Sequence, residues 1–231
     1  MEKDFFVGPP GYFLISSQAP PCIQVTYDVA KFHSALFSEY AIPLPDTIKS
    51  SCKSRQADFL VGRYLARIAL DELGCDETYV GIGDNGCPVW PENFTGSLSH
   101  ADGIAVCIAQ KNDHTASYIG IDCERKLSLD ETGPVKEVAA TRTDHLTCSA
   151  YPETSALFYS LMFSVKESFF KAAYPYVKRY FDFDAVSVFD IDPHNAYLQV
   201  NYDLHPRLMK GKTVTCSYRD MGDHVITHCL I

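Results

Sequence analysis

The chain has 231 residues, 46% of them hydrophobic and 13% aromatic, with a net charge of −9 and a pI near 5.3. At roughly 150 residues per domain it makes one large or two small globular domains, with core enough to fold without disulfides. The acidic balance argues against a general nucleic-acid or anionic-membrane binder, because both need a basic face.

No apolar run reaches the roughly 18–20 residues needed to span a bilayer. The stretch MEKDFFVGPPGYFLISSQAP is acidic early and broken by Pro and Gly, unlike a signal peptide. A cytoplasmic protein with no transmembrane segment is expected. Residues 1–50 are rich in Pro and aromatics, with short strand-like runs and one helix expected near Val29–Tyr40. From Arg55 to Leu73 the residues Ala57, Leu60, Val61, Tyr64, Leu65, Ile68 and Ala69 recur at helical spacing, and Gly74 supplies a stop. Residues 81–97, dense in Gly, Pro and Asn, read as loop. Ile104–Ala109 reads as a buried strand and Gln110–Ala116 as a polar connector.

A second half follows. Tyr118–Asp122 is expected as a strand, part of 130–148 as a helix, and Glu153 to Tyr174 as a long helix ended by Pro175. Strands are expected at 185–191, 196–202, 213–218 and 224–230. Each half is strands plus one dominant helix, an α+β pattern with a boundary near 112–117. The nine cysteines are odd in number and no two are spaced CxxC, so they read as small buried hydrophobes rather than as a metal or redox motif. His224 and His228 have a metal-like spacing but lie in an expected terminal strand and read as structural.

Three segments carry chemistry. In Gly120-Ile121-Asp122-Cys123-Glu124, strand alternation points Asp122 and Glu124 one way and Cys123 the other. Adjacent carboxylates repel unless a cation sits between them, and Mg²⁺ suits oxygen ligands completed by phosphate and water. The alternative is a solvated strand end. In Phe163-Ser164-Val165-Lys166-Glu167-Ser168-Phe169-Phe170-Lys171-Ala172, Glu167 and Lys171 are i, i+4 neighbours on a helix. Glu167 can bind metal or accept a proton, and Lys171 can meet a phosphate. The alternative is a surface ion pair worth a few tenths of a kcal/mol. Lys166 could simply face solvent. In Pro88-Val89-Trp90-Pro91 and Gly96-Ser97-Leu98-Ser99-His100, small residues allow close ligand approach, and Ser99 and His100 can donate hydrogen bonds. They are not a nucleophile–base pair, since neighbours in an extended segment diverge. The segment Tyr174 to Phe181 is aromatic with an embedded basic pair, which makes Tyr176, Lys178 and Arg179 candidates for docking a partner.

Taken in order, PVWPENFTGSLSH, GIDCE and FSVKESFFKA resemble the signatures of 4′-phosphopantetheinyl transferases, most closely the enterobactin synthetase component D type. The resemblance runs from about Arg55 to Ala172 and is weak before 50 and after 180. It implies a pseudo-dimer of two similar α+β halves, 1–115 and 116–231, with the active site at their seam. It implies magnesium carboxylates at Asp122, Glu124 and Glu167, and a phosphate-contacting Lys171. Coenzyme A is the implied co-substrate, with Arg55, Arg63, Ser99 and His100 around its phosphates; for the two arginines the alternative is a solvated helix face. Glu167 is the implied base, directly or through a water. The implied partners are apo peptidyl or aryl carrier domains of nonribosomal peptide synthetases that make siderophores, served by a monomer. Cys87 and Asn93 depart from the pattern, standing where relatives place a basic residue and Gly, which bears on the nucleotide contacts. Two rivals are a CoA-binding sensor without catalysis and a magnesium-dependent phosphohydrolase that cleaves CoA with water.

Overall fold

The computed structural model describes residues 5–17, 19–112, 117–140 and 156–231. Contacts divide the chain into two compact units, Met1–Leu14 with Ala19–Ala116, and Ile15–Gln18 with Ser117–Ile231. Both are α+β. No described helix is long and apolar enough to cross a membrane.

The first unit contains β1 (Gly11–Phe13), β2 (Cys22–Thr26), the short helices α1 (Leu36–Glu39) and α2 (Asp46–Lys49), the long helix α3 (Lys53–Glu72), the ribbon β3 (Gly81–Ile82) and β4 (Pro88–Val89), and the strands β5 (Phe94–Ala101) and β6 (Ile104–Lys111). Its main sheet is antiparallel in the order β1-β2-β6-β5. The helical spacing read from the sequence puts Ala57, Leu60, Val61, Leu65 and Ala69 of α3 into one core with Ile23, Val25, Ala105 and Cys107 of the sheet. At the end of α3, Gly74 takes φ 73°, the Cys75 amide bonds back to Leu70 O at 3.0 Å and the Gly74 amide to Asp71 O at 3.0 Å. This double closure is the Schellman stop, which favours glycine at the left-handed position.

Two expectations for this unit are corrected. The helix over Val29–Tyr40 is instead a 3-10 turn at Val29–Lys31 followed by α1. Phe32 between them is extended (φ −64°, ψ 136°), and the buried Phe32 and Phe37 rings meet edge to face at 6.0 Å. Ring packing outweighs continuation of the helix. The segment 81–97 is not all loop: it holds the β3–β4 ribbon and the start of β5. Asp102 and Gly103, at φ 44° and 79°, turn β5 into β6. Two left-handed central residues match the right-handed twist of the strands they join.

The second unit contains β7 (Ile119–Arg125), α4 (Thr132–Ala139), α5 (Ala156–Val177), β8 (Val186–Ile191), β9 (Asn195–Val200), β10 (Thr213–Asp220) and β11 (His224–Leu230). The sheet is antiparallel in the order β7-β11-β10-β9-β8. Phe158, Leu161, Met162, Val165 and Phe169 of α5 pack on Val188, Leu198, Val214, Cys216 and Val225 of the strands. The expected strand over Tyr118–Asp122 extends to Arg125. The helix expected within 130–148 is α4, preceded by a 3-10 turn at Leu129–Glu131; residues 141–148 of that expectation, and the start of the long helix at 153–155, lie outside the described residues.

Pro175 does not end α5, which runs two residues further. Proline removes its own amide from the ladder, which resumes with the Lys178 amide on Tyr174 O at 2.8 Å. Lys178, at φ 52°, then turns the chain out of the helix. His224 and His228 both lie on β11, buried. Four strand residues span about 13 Å, too far for one ion to bind both.

Candidate active site

The site in the second unit begins with a glycine. A Cβ at Gly120 would stand 2.0 Å from Ser168 O and 2.7 Å from the Ala172 amide nitrogen, so the absent side chain lets α5 lie directly on β7. Strand alternation turns Asp122 to the same face, with 2% of its surface exposed. Its Oδ2 accepts from Ser164 Oγ at 2.8 Å and its Oδ1 from Lys171 Nζ at 2.7 Å. The lysine also donates to Ile121 O at 3.1 Å. Thr227, opposite Asp122 on β11, ties in Ser164 (2.9 Å) and Ser168 (2.6 Å) through their hydroxyls. The buried carboxylate thus rests on a hydroxyl network and one ammonium.

Glu167 lies on the same helix, half-buried. Burial pushes its carboxyl above the usual range, Lys171 draws it down, and the charge of Asp122 pushes it up again. Asp122 and Glu167 therefore share one electrostatic environment with Lys171. Glu124, partly exposed two residues beyond Asp122, sits on the same pleat side. Lys166 does not face solvent as the sequence allowed: it is 2% exposed, and its Nζ donates to Ala139 O at 2.8 Å at the end of α4.

Carboxylate oxygens are the donors Mg²⁺ prefers, and it needs only one or two of them beside phosphate and water. Asp122 and Glu167 fit that requirement as two carboxyls of like charge in one environment. Among the described residues, no group of three or more His, Cys, Asp or Glu side chains converges closely enough to hold a metal ion by itself.

A cavity of about 510 Å³ opens beside Glu167, walled by Phe169, Phe170 and Phe181. Sequence reasoning missed this cavity, and it missed the Ser164–Ser168–Thr227 network. The available signal was the stripe Ser164, Ser168 and Lys171, polar at i, i+4 and i+7 on one side of the helix.

The expected phosphate contacts of the first unit fall into two groups. His100 Nδ1 lies 3.5 Å from Asp58 Oδ2 of α3, and Tyr27 donates to the other oxygen of Asp58 at 2.5 Å. Ser99, the preceding residue of β5, is buried on the opposite face. Arg55 is exposed near the start of α3. Arg63 is not on a solvated helix face: it is 8% exposed, lies 4.5 Å over the Phe59 ring and donates to Gly81 O at 3.0 Å. Its Nε makes no hydrogen bond among the described residues. Burial, with Arg55 nearby, lowers its pKa to about 10. A buried guanidinium with an unused donor is a place for an anion.

Of the expected docking residues, Lys178 and Arg179 are exposed. Tyr176 is engaged in packing: its hydroxyl accepts from Arg207 at 2.9 Å and its ring stacks on His205.

These features define an α+β protein of two units with a carboxylate–lysine cluster suited to a phosphate ester. The profile of the 4′-phosphopantetheinyl transferase N-terminal domain matches residues 45–110, and that of the 4′-phosphopantetheinyl transferase superfamily matches 118–229. The chain is 34% identical to 4′-phosphopantetheinyl transferase Npt of Nocardia iowensis, across 64% of this chain and 66% of the relative. It is 35% identical to 4′-phosphopantetheinyl transferase PptT of Mycobacterium tuberculosis, across 65% and 66%. It is 29% identical to enterobactin synthase component D of Salmonella typhi, across 88% and 82%. The aligned stretch spans just under two thirds of the first two relatives. The chain belongs to the 4′-phosphopantetheinyl transferase family.

Proposed function

We propose that the protein transfers the 4′-phosphopantetheine arm of coenzyme A to a serine of an apo carrier domain of a nonribosomal peptide synthetase, in siderophore biosynthesis and with Mg²⁺. The observation that carries the reading is the Lys171–Asp122 pair beside Glu167, where Gly120 lets α5 meet β7. Asp122 and Glu167 would hold the ion beside phosphate and water, while the third expected ligand, Glu124 at the strand end, does not converge with them. When bound, Mg²⁺ neutralises pyrophosphate oxygens.

The carrier serine oxygen forms a bond to the β-phosphorus, and the bond from that phosphorus to the bridging oxygen breaks. Glu167 takes the hydroxyl proton, directly or through a water; a carboxylate that also holds the ion is a weak base, so the route through water competes with the direct one. Lys171 steadies or protonates the leaving phosphate oxygen of 3′,5′-ADP. The cavity beside Glu167 has the size and apolar lining of a small-molecule pocket, and we assign it to the pantetheine arm. Arg63, through its unused donor, Arg55, Ser99 and His100 are assigned to the CoA phosphates. Because these residues and the carboxylates fall in different units, the reading takes the units as a pseudo-dimer working at their seam. One chain carries every residue it uses, so a monomer suffices, and the reading sets it in the cytoplasm. Exposed Lys178 and Arg179 are assigned to carrier docking; reversing both charges should raise the carrier KM, and an unchanged KM would remove them from the interface.

The decisive experiment mixes protein, Mg²⁺, CoA and apo carrier domains, from peptide synthetases and fatty-acid synthesis side by side, and weighs the carriers. A gain of one phosphopantetheine selects transferase. Release of 3′,5′-ADP without any carrier selects the hydrolase, and tight CoA binding with neither product selects the sensor. Glu167→Gln should lower transfer by about a hundredfold or more while leaving the melting curve in place, and near-normal transfer would refute its role.

A further inference from the structure

Resting on that assignment of the cavity, we infer that the enzyme selects among S-substituted coenzyme A molecules by charge: it accepts a neutral group on the sulfur and disfavours a carboxylate. The cavity is apolar at its walls and acidic where it opens. Glu167 is the lining residue that also belongs to the carboxylate–lysine cluster, so it marks the end where the phosphate reacts. Asp182 and Asp184 also line the cavity and are solvent-exposed, which puts them at its rim, on the segment that follows α5. The cation that lines it, Lys166, is buried with its Nζ on Ala139 O. Tyr202 donates a hydrogen bond to Asp184 at 3.0 Å, and Asp184, Asp182 and Arg179 all act electrostatically on that tyrosine. The two aspartates together are the source of negative potential at the rim.

A pantetheine arm is neutral along its amides and ends in a thiol. It can run from Glu167 along Phe169, Phe170 and Phe181 with no charge penalty. A carboxylate added at the sulfur would lie at the end of the arm away from Glu167, where Asp182 and Asp184 stand at the rim, and like charges at close range repel. A carboxamide of the same shape would not. This discrimination acts by repulsion, which can separate two ligands that make the same attractive contacts.

The test uses two stable derivatives that differ only in charge, S-carbamoylmethyl-CoA and S-carboxymethyl-CoA, with unmodified CoA as control. The kcat/KM for transfer to one apo carrier should favour the carbamoylmethyl compound by about tenfold at low ionic strength, shrinking as salt screens the exposed rim. In Asp182→Asn/Asp184→Asn the preference should fall to about twofold or less. A wild-type ratio near one, or a preference that neither salt nor the double variant reduces, overturns the inference. The salt series needs only the wild-type protein, so it decides the matter even if the double variant does not fold. Absence of transfer from CoA itself overturns the proposed function and this inference with it. Transfer from CoA with equal use of both derivatives overturns the inference alone.

Discussion

Asp122 shows what one buried charge demands of its neighbours. Its carboxylate has lost nearly all contact with water, and the Ser164 hydroxyl and Lys171 ammonium replace it. Removing one partner of a buried pair leaves an uncompensated charge, whereas removing both charges can be nearly neutral. Lys171→Met should therefore destabilise the protein by about 3 kcal/mol in urea unfolding, and Lys171→Met/Asp122→Asn should recover most of it. Transfer should stay lost in both variants. A double variant as unstable as the single one would mean that Lys171 acts by packing rather than charge. At this scale the sequence was informative where spacing fixes direction. Alternation in GIDCE put Asp122 on the opposite side from Cys123, and helical spacing put Lys171 one turn beyond Glu167. It was silent on which acid takes the lysine, because the i, i+4 partner Glu167 and the strand residue Asp122 compete, and only tertiary contact decides.

The contact between α5 and β7 is decided by one missing side chain. Ser168 O and the Ala172 amide nitrogen occupy the space a Cβ at Gly120 would need, and both are backbone atoms that cannot swing away. Gly120→Ala should cost upward of about 3 kcal/mol and move the helix that carries Glu167 and Lys171, lowering transfer as well as stability. Gly133 provides the contrast. It lies within α4, and nothing among the described residues comes within 4 Å of its would-be Cβ. Gly133→Ala should leave stability within about 0.5 kcal/mol of the parent, because the helix propensity gained is offset by the clash of an alanine Cβ with the ring of Pro134. Denaturant midpoints of the two variants check both magnitudes. Helices were legible where a long periodic stripe met a clear stop, as in α3 and Gly74. They were misjudged where tertiary packing overrode local signals: Pro175 was accommodated inside α5, and Phe32 broke the expected helix to bury its ring. Strand β5 was hidden in a Gly-rich stretch, although Asp102-Gly103 after it was a strong hairpin signal.

Across the molecule, an α+β grammar of strands around one dominant helix was readable in each half, since periodicity and stops are local. The cavity and the burial of Arg63 and Lys166 were not, because they depend on which elements pack together. One such tertiary effect governs how the whole protein responds to acid. His228 is 6% exposed, its Nε2 makes no hydrogen bond among the described residues, and it stands between Ile121 and Ser217 on the adjoining strands. Burial pushes its pKa down to about 4, against 6.5 for a free imidazole. The folded state therefore holds it neutral, while the unfolded chain protonates it once the pH drops below 6.5. Its contribution to stability is complete above that value and is lost progressively as the pH falls towards 4. Between about pH 7.5 and pH 5 the linkage amounts to about 2 kcal/mol, and His228→Gln should remove that part of the slope even if it lowers stability at neutral pH. Urea unfolding of both proteins across this range checks it: parallel curves would mean that His228 takes up its proton equally well folded and unfolded.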